Sequence, residues 1–202
     1  IATSRTKKQH IADVGTGSGA IAIAVACHIP SATVHALDSD SEALRVAEIN
    51  RDTHGVDNRV SILKGDLLKP LREKIDIIVS NLPYLRTGDL TDLPVEIQKE
   101  PVSALDGGPD GLQLIRRLLL QSPYHIRPGG CIFLEISPEQ LDPVTNVAKE
   151  TFPRADISFS RDLLGFPRMV DIRLPGGYPS NEHDSTIGKS SSHNDLFDYH
   201  PS

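Results

Sequence analysis

The segment Asp13-Val14-Gly15-Thr16-Gly17-Ser18-Gly19 joins an apolar strand, predicted at residues 10–14, to a helix rich in alanine and isoleucine, predicted at residues 19–28. Glycines let the backbone turn tightly and approach a ligand without a clash from a Cβ atom. A glycine-rich turn between a first strand and a first helix is typical of open α/β sheets that bind ligands at this point. No Lys-Ser/Thr pair follows the glycines, which argues against a phosphate-gripping P-loop.

Strands and helices alternate outward from this turn to about residue 174. Further strands are predicted at residues 33–37, 60–63, 75–80, 131–136, 155–160 and 169–174, with a turn at 127–130. Helices are predicted after the capping-box segment Ser39–Glu42 and at 110–124 and 138–151. The last two strands have no helix between them, which favours an antiparallel pair at the edge of the sheet. The predicted fold is therefore α/β, with a seven-stranded, mostly parallel sheet, an antiparallel edge strand and helices on both faces.

Composition sets limits on the function. The chain has 202 residues and a formal net charge of −6, so it lacks the general basic surface of a protein that binds duplex nucleic acid. Residues 1–9 are predicted as a polar stub and residues 176–202 as a disordered tail, which leaves one domain at 10–175. No apolar run reaches membrane-spanning length and no signal peptide is visible, which predicts a cytoplasmic protein without a membrane partner.

No metal site is predicted. Cys27 and Cys131 fall inside a predicted helix and a predicted strand, where buried free thiols are expected. The eight histidines show no spacing typical of metal ligands.

Acidic residues follow the second and third predicted strands. Asp38 lies 19 positions after Gly19, a spacing that suits one strand-helix-strand unit, and its carboxylate could accept both hydroxyls of a ribose. Asp66 could accept from the exocyclic amine of an adenine, with Leu67 packing on the ring. Each residue alone could be a helix cap or part of a turn, but in this order they predict an adenosine site.

The tetrapeptide Asn81-Leu82-Pro83-Tyr84 follows the fourth predicted strand, 75–80. It places an amide, backbone carbonyls and an aromatic ring at the carboxyl end of that strand, where open α/β sheets bind ligands. This arrangement suits a planar amide or amine held by hydrogen bonds. A long irregular stretch, 81–109, contains the tetrapeptide, and loops of this length inside a domain are commonly functional.

With these motifs in this order, the sequence resembles the class I S-adenosylmethionine-dependent methyltransferases, and Asn81–Tyr84 looks like their Asn-Pro-Pro-Tyr motif. Residues 100–118, 134–136 and 162–168 are similar to stretches that mark the release factor glutamine methyltransferases. The resemblance covers residues 10–174 and implies methylation of the glutamine in the Gly-Gly-Gln segment of peptide chain release factors, with S-adenosylmethionine as cofactor.

The resemblance also implies roles for single residues. Asp38 would hold the ribose, Asp66 and Leu67 would frame the adenine, and Asn81 would touch both cofactor and substrate. Asn81 and the Leu82 carbonyl would accept from the amide hydrogens, while Pro83 fixes the turn and Tyr84 packs on the glutamine. The methionine part of the cofactor would lie against Gly15, Thr16, Gly17, Ser18 and Gly19.

Departures from the family pattern leave alternatives open. Leu82 stands where the family usually has a proline, and Asn-Leu-Pro-Tyr is also the form found in ribosomal RNA adenine dimethyltransferases. RNA or DNA N6-adenine methylation is therefore the alternative activity, although the acidic charge and residues 100–118 count against it. The chain also begins about nine residues before the strand that leads to the glycine loop, without the family's N-terminal helical domain, so a cofactor-binding but inactive fragment is a further alternative.

Overall fold

A computed structural model describes residues 8–94 and 97–177 of the chain. Seven strands form one sheet: β1 (Gln9–Val14), β2 (Ala32–Asp38), β3 (Val60–Lys64), β4 (Ile75–Ser80), β5 (Ile126–Glu135), β6 (Asp156–Arg161) and β7 (Pro167–Arg173). Four α-helices accompany them: α1 (Ala20–His28), α2 (Ser41–Thr53), α3 (Gln113–Gln121) and α4 (Leu141–Thr151). The predicted stub and tail fall mainly on residues 1–7 and 178–202, outside the described residues, so the predicted domain bounds stay predictions.

The sheet confirms the predicted fold class. Its strand order is β3-β2-β1-β4-β5-β7-β6, with parallel pairing from β3 through to β5. β7 pairs antiparallel with both β5 and β6, so the reversed strand lies between β5 and the edge strand β6. The order changes direction between β1 and β4, and in open α/β sheets such a switch point opens a crevice at the carboxyl ends of the strands.

Two apolar layers cover the sheet. Helices α1 and α2 lie on one face, where Ile11, Ala22 and Val34 belong to one cluster. Helices α3 and α4 lie on the other, where Leu118, Val144 and Phe152 join the larger cluster. Alternate residues of a strand point to opposite faces, so each parallel strand supplies both layers, and this explains its nearly continuous apolar sequence.

Several local predictions differ from the structure. Residues 127–130 were predicted to form a turn, but they continue β5, whose pairing with β4 shifts register between Ile75 and Ile77. Gly129 has φ +75° there, and a Cβ on Gly130 would lie 2.8 Å from the carbonyl oxygen of Asp76, so glycines permit the bulge. The cap of α2 is Asp40, whose side chain accepts from the backbone of Glu42, and not Ser39 of the predicted capping box.

Two further findings concern the cysteines and the helices. Cys27 and Cys131 are free, but neither is buried as predicted: Cys27 is exposed and Cys131 is half-buried. No helix in 8–94 or 97–177 combines the length and apolar character that crossing a membrane requires.

Candidate active site

A cleft opens at the switch point between β1 and β4. Val14 and Ser80 are paired in register at the carboxyl ends of these strands, and the Ser80 hydroxyl donates to the Val14 carbonyl at 2.8 Å. The glycine segment and Asn81–Tyr84, which are 62 residues or more apart in the sequence, therefore leave the sheet side by side. The cleft has a volume of about 320 Å³, at the lower end of the range for small-molecule sites.

The glycine segment forms the floor of the cleft. Gly15, Gly17 and Gly19 have φ of +74°, +55° and +81°, a region that side-chain-bearing residues rarely adopt. A Cβ on Gly15 would lie 2.9 Å from Leu82 Cδ2, so the turn and the tetrapeptide are in close contact. A Cβ on Gly17 would meet open space, which leaves its backbone accessible to a ligand.

The predicted members of this segment separate into two groups. Gly15 and Gly17 line the cleft. Thr16, Ser18 and Gly19 instead make internal contacts: Thr16 donates to Asp13, the Ser18 carbonyl accepts from Asn50, and Gly19 packs on α2. Ligand contact by these three residues stays a prediction.

Asp13 is a buried carboxylate beneath the loop. Its Oδ2 accepts from the Thr16 hydroxyl at 2.7 Å and from the Ala22 backbone N–H at 3.0 Å, which fixes the start of α1. Its Oδ1 is buried without a hydrogen-bond partner among the described residues. Burial outweighs the two hydrogen bonds and raises the pKa of Asp13 from its ordinary value of 3.8 to about 6.

Asp38 lies at the end of β2 on the cleft wall, where the sequence predicted it. Its Oδ2 accepts from the Gly17 backbone N–H at 2.9 Å and its Oδ1 from the Asp40 backbone N–H at 3.0 Å. Each carboxylate oxygen can accept more than one hydrogen bond, so these contacts orient the group and leave acceptor capacity toward the cleft.

Asp66 and Leu67 also line the cleft, but Asp66 is already engaged. Arg117 donates to both of its oxygens at 2.6 Å, and Lys69 Nζ lies 2.7 Å from Oδ2. The Lys69 hydrogen bond, reinforced by the Arg117 charge, lowers the pKa of Asp66. A ligand amine would have to share this carboxylate with two cations. Leu67 is buried and has φ +53°, a strained conformation of the kind found at ligand sites.

The tetrapeptide divides its side chains between cleft and core. Asn81 is exposed at the cleft, whereas Leu82 is 5% exposed and belongs to the larger apolar cluster. The Leu82 side chain thus packs beneath the glycine loop. Only the Leu82 backbone can therefore hydrogen bond to a ligand in the cleft. Pro83 also lines the cleft.

Tyr84 is held at both its backbone and its ring. Its carbonyl accepts from Gln140 Nε2 at 2.9 Å, and the Arg168 guanidinium lies near its hydroxyl. Burial, and then the nearby charge of Glu135, raise the pKa of the Tyr84 phenol, so it stays neutral. Arg168 also pairs with Asp162 at 3.2 Å, and this links the β6–β7 turn to the site.

The long segment after Tyr84 folds back over the tetrapeptide. Short 3-10 turns replace the predicted irregular loop, and a parallel bridge joins Leu85 to Asp106. A Cβ on Gly107 would lie 2.8 Å from the Pro83 carbonyl oxygen, so only glycine lets the two segments approach this closely. This return brings Ser103 and Ala104 to the cleft wall.

Sequence reasoning missed the roles of Gln140, Arg117 and Arg168. Gln140 is buried, accepts from the Ser137 backbone and donates to the carbonyls of Tyr84 and Gly111. The spacing Ser137-x-x-Gln140 is that of a capping box and could have revealed this residue. Arg117 and Arg168 lie in the stretches 100–118 and 162–168 that resemble the family, but their spacing does not show which residues they contact, since each reaches its partner across the fold.

Comparisons with known proteins agree with this geometry. A family model described as "Methyltransferase small domain" matches residues 2–108. A release factor glutamine methyltransferase from Moorella thermoacetica is 47% identical over 140 residues, which are 69% of this chain and 50% of the relative. A ribosomal protein uL3 glutamine methyltransferase from Bradyrhizobium diazoefficiens is 43% identical over 132 residues, 65% of this chain and 41% of the relative. The chain spans about half the length of the curated relatives it matches.

Structural similarity supports the fold alone. A methyltransferase from Pyrococcus furiosus superposes with a TM-score of 0.60 at 20% identity, covering 84% of this chain and 76% of that one. At this identity the likeness supports the fold and says nothing of the substrate.

Proposed function

Since the chain belongs to the methyltransferase small domain family, we propose that it transfers a methyl group to the side-chain amide nitrogen, N5, of glutamine in the Gly-Gly-Gln motif of peptide chain release factors. The observation that carries this proposal is Asn81–Tyr84 beside the glycine loop at the switch point of the sheet. The names of the relatives, which are glutamine methyltransferases, support an amide as the acceptor. The proposed role is in translation termination, and the predicted cytoplasmic location follows from that substrate.

S-adenosylmethionine is the proposed cofactor, and when bound it supplies a methyl group made electrophilic by a sulfonium sulfur. The residues present fit such a group: the glycine backbone is open at Gly17, and the Asp38 carboxylate is oriented toward the cleft with acceptor capacity to spare. Leu67 offers an apolar surface for an adenine, and Asp66 can accept from its amine if it shares its partners.

The chain's contribution to the reaction is alignment and hydrogen-bond acceptance. An amide nitrogen is a poor nucleophile because its lone pair is delocalised. Correct placement of this nitrogen beside the methyl group therefore removes much of the activation barrier. We assign the Asn81 side-chain oxygen and the Leu82 carbonyl as acceptors for the two amide hydrogens. Both acceptors bind more strongly as the nitrogen gains positive charge, and the methylated amide then releases one proton to water.

Tyr84 positions the substrate side chain rather than moving a proton. Its raised pKa keeps the phenol neutral, and the Arg168 guanidinium near its hydroxyl would hold the ring in place. Gln140 holds the Tyr84 carbonyl from behind, so the loop cannot shift without breaking a buried hydrogen bond. A glutamine side chain would then lie between the ring and the Asn81 amide.

A second candidate substrate is ribosomal protein uL3, because a relative of 43% identity is named for it. The chemistry at the acceptor nitrogen is the same, so only the docking of the protein substrate would differ. RNA adenine methylation is the remaining alternative, and the assay described next also tests it.

The test is a labelled-methyl assay with release factor, uL3 and RNA side by side. We expect incorporation into release factor, and none when its Gly-Gly-Gln glutamine is replaced by alanine. Asn81→Ala should abolish transfer while calorimetry shows cofactor affinity largely retained. Asn58→Ala, an exposed asparagine before β3, is the matched control and should be unaffected. Unchanged turnover in Asn81→Ala would refute the assigned role, and labelling of RNA alone would refute the substrate. Cofactor binding without turnover, restored by adding the N-terminal domain of a longer relative, would identify an inactive fragment.

A further inference from the structure

Three potential metal ligands meet at the other end of the sheet from the cleft. His35 Nε2 lies 3.0 Å from Glu73 Oε1, and His10 Nδ1 lies 3.1 Å from Glu73 Oε2. One donor atom from each of the three residues lies within 4.8 Å of the others. None of these residues takes part in the proposed methyl transfer.

Strand pairing creates the cluster. His10 pairs with Thr33 across β1 and β2, and His35 lies two residues further along β2, on the same face of the sheet. Glu73 lies two residues before β4, which flanks β1 on its other side. The His10 backbone N–H donates to Asp76 Oδ2 at 2.8 Å, and this fixes the position of the first histidine.

The contact between His10 and Glu73 is close but is not a hydrogen bond. His10 Nδ1 is a buried atom 3.1 Å from Glu73 Oε2, yet no hydrogen bond of acceptable geometry reaches it among the described residues. His35 Nε2, in contrast, hydrogen bonds to Glu73 Oε1 at 3.0 Å, so His10 Nδ1 is the donor atom of the cluster that has no hydrogen bond within the described part of the chain and is open to an ion. Around a tetrahedral ion with bonds of about 2.05 Å, neighbouring ligand atoms lie about 3.3 Å apart.

We propose that His10, His35 and Glu73 bind a Zn²⁺ ion. Two imidazole nitrogens and one carboxylate oxygen form a ligand set that suits zinc and related borderline ions better than Mg²⁺ or Ca²⁺. The contacts of 3.0 and 3.1 Å reach different oxygens of Glu73, so on ion binding the carboxylate would turn to present one oxygen, and the donor atoms, which lie within 4.8 Å of one another, would draw together around the ion. The Glu73 side chain is 44% exposed, so a water molecule can complete the coordination from the solvent side.

The ion would join β1, β2 and the connection that leads into β4. A ligand that binds the folded chain more tightly than the unfolded chain raises stability with its concentration. Zinc binding would therefore stabilise the strands that carry the glycine loop, Asp38 and Asn81, without contacting substrate or cofactor.

Calorimetric titration of the full chain with zinc chloride tests the proposal. We expect one site that is lost in His10→Ala/His35→Ala, while His28→Ala/His54→Ala behaves like the parent chain. The control pair is apt because His28 and His54 are exposed and contact carbonyls of their own helices. Residues His183, His193 and His200 stay in every variant, so any binding by them cancels in the comparison.

Glu73→Gln provides a variant that preserves shape and folding. A neutral amide can still hydrogen bond to the histidines but is a poor zinc ligand, so zinc affinity should fall at least tenfold. In the parent chain, Co²⁺ should give the visible absorption of a four-coordinate nitrogen and oxygen site, which Glu73→Gln weakens. Equal zinc affinity in the parent, Glu73→Gln and the His10/His35 double variant, or the lack of a stoichiometric site in the parent, would overturn the proposal.

Discussion

Asp13→Asn should change how stability depends on pH, because the folded chain holds the Asp13 proton up to about pH 6. The unfolded chain releases that proton near the ordinary pKa of 3.8. Between these values the folded state binds more protons, so the stability contributed by Asp13 is fully present below pH 3.8 and is lost as pH rises to about 6. At about 1.4 kcal/mol per pKa unit, the loss is about 3 kcal/mol.

The asparagine variant removes this titration and keeps most of the contacts. Its side-chain oxygen can accept from Thr16 and Ala22 as Oδ2 does now. Its NH₂ group would occupy the buried position of Oδ1, which lacks a partner among the described residues, and that cost does not vary with pH. The difference in stability between variant and parent should therefore move toward the variant by about 2 kcal/mol from pH 4 to pH 7, because part of the full effect is already lost at pH 4.

Urea denaturation at several pH values, followed by circular dichroism, measures this difference. Asp110→Asn is a control of opposite sign: hydrogen bonds from Arg116 and Leu112 lower the pKa of Asp110, so the parent should lose its advantage over that variant as pH falls. A stability difference between Asp13→Asn and the parent that is constant from pH 4 to pH 7 would refute the argument that burial dominates at Asp13.

Two further predictions concern the cleft. Arg117→Leu removes the donor that occupies Asp66, so we expect the calorimetric Kd for S-adenosylmethionine to fall about fivefold, worth about 1 kcal/mol for one hydrogen bond; Arg116→Leu, whose arginine pairs with Asp110 instead, should not change it. Weaker binding in Arg117→Leu would mean that Arg117 itself holds the ligand. Arg168→Ala frees the Tyr84 ring, so kcat for methylation of release factor should fall about tenfold while the Kd of the cofactor stays unchanged. Arg161 lies over Phe159 instead, so Arg161→Ala should leave both values unchanged. A parallel loss of cofactor affinity in Arg168→Ala would point to a wider collapse of the site.

The amino-acid sequence determined the fold class and most of the cleft. The spacing of apolar residues and the positions of turn residues predicted seven strands. Asp38 at the end of β2 and the tetrapeptide after β4 were predicted at the carboxyl ends of their strands, where the structure has them. These features are local, because a glycine turn, an apolar strand and the residue that follows it occupy neighbouring positions in the chain. Their pattern can therefore be recognised in the sequence alone.

Tertiary structure alone decided which distant charges share a site. Arg117 reaches Asp66 across 51 positions, and the contact leaves no trace in the spacing of either residue. The glycines at 129 and 130 looked like a turn because a bulge inside a strand needs the same backbone freedom as a turn. His10, His35 and Glu73 showed no ligand spacing because the pairing of β1 with β2 and β4, and not the order of the chain, brings them together.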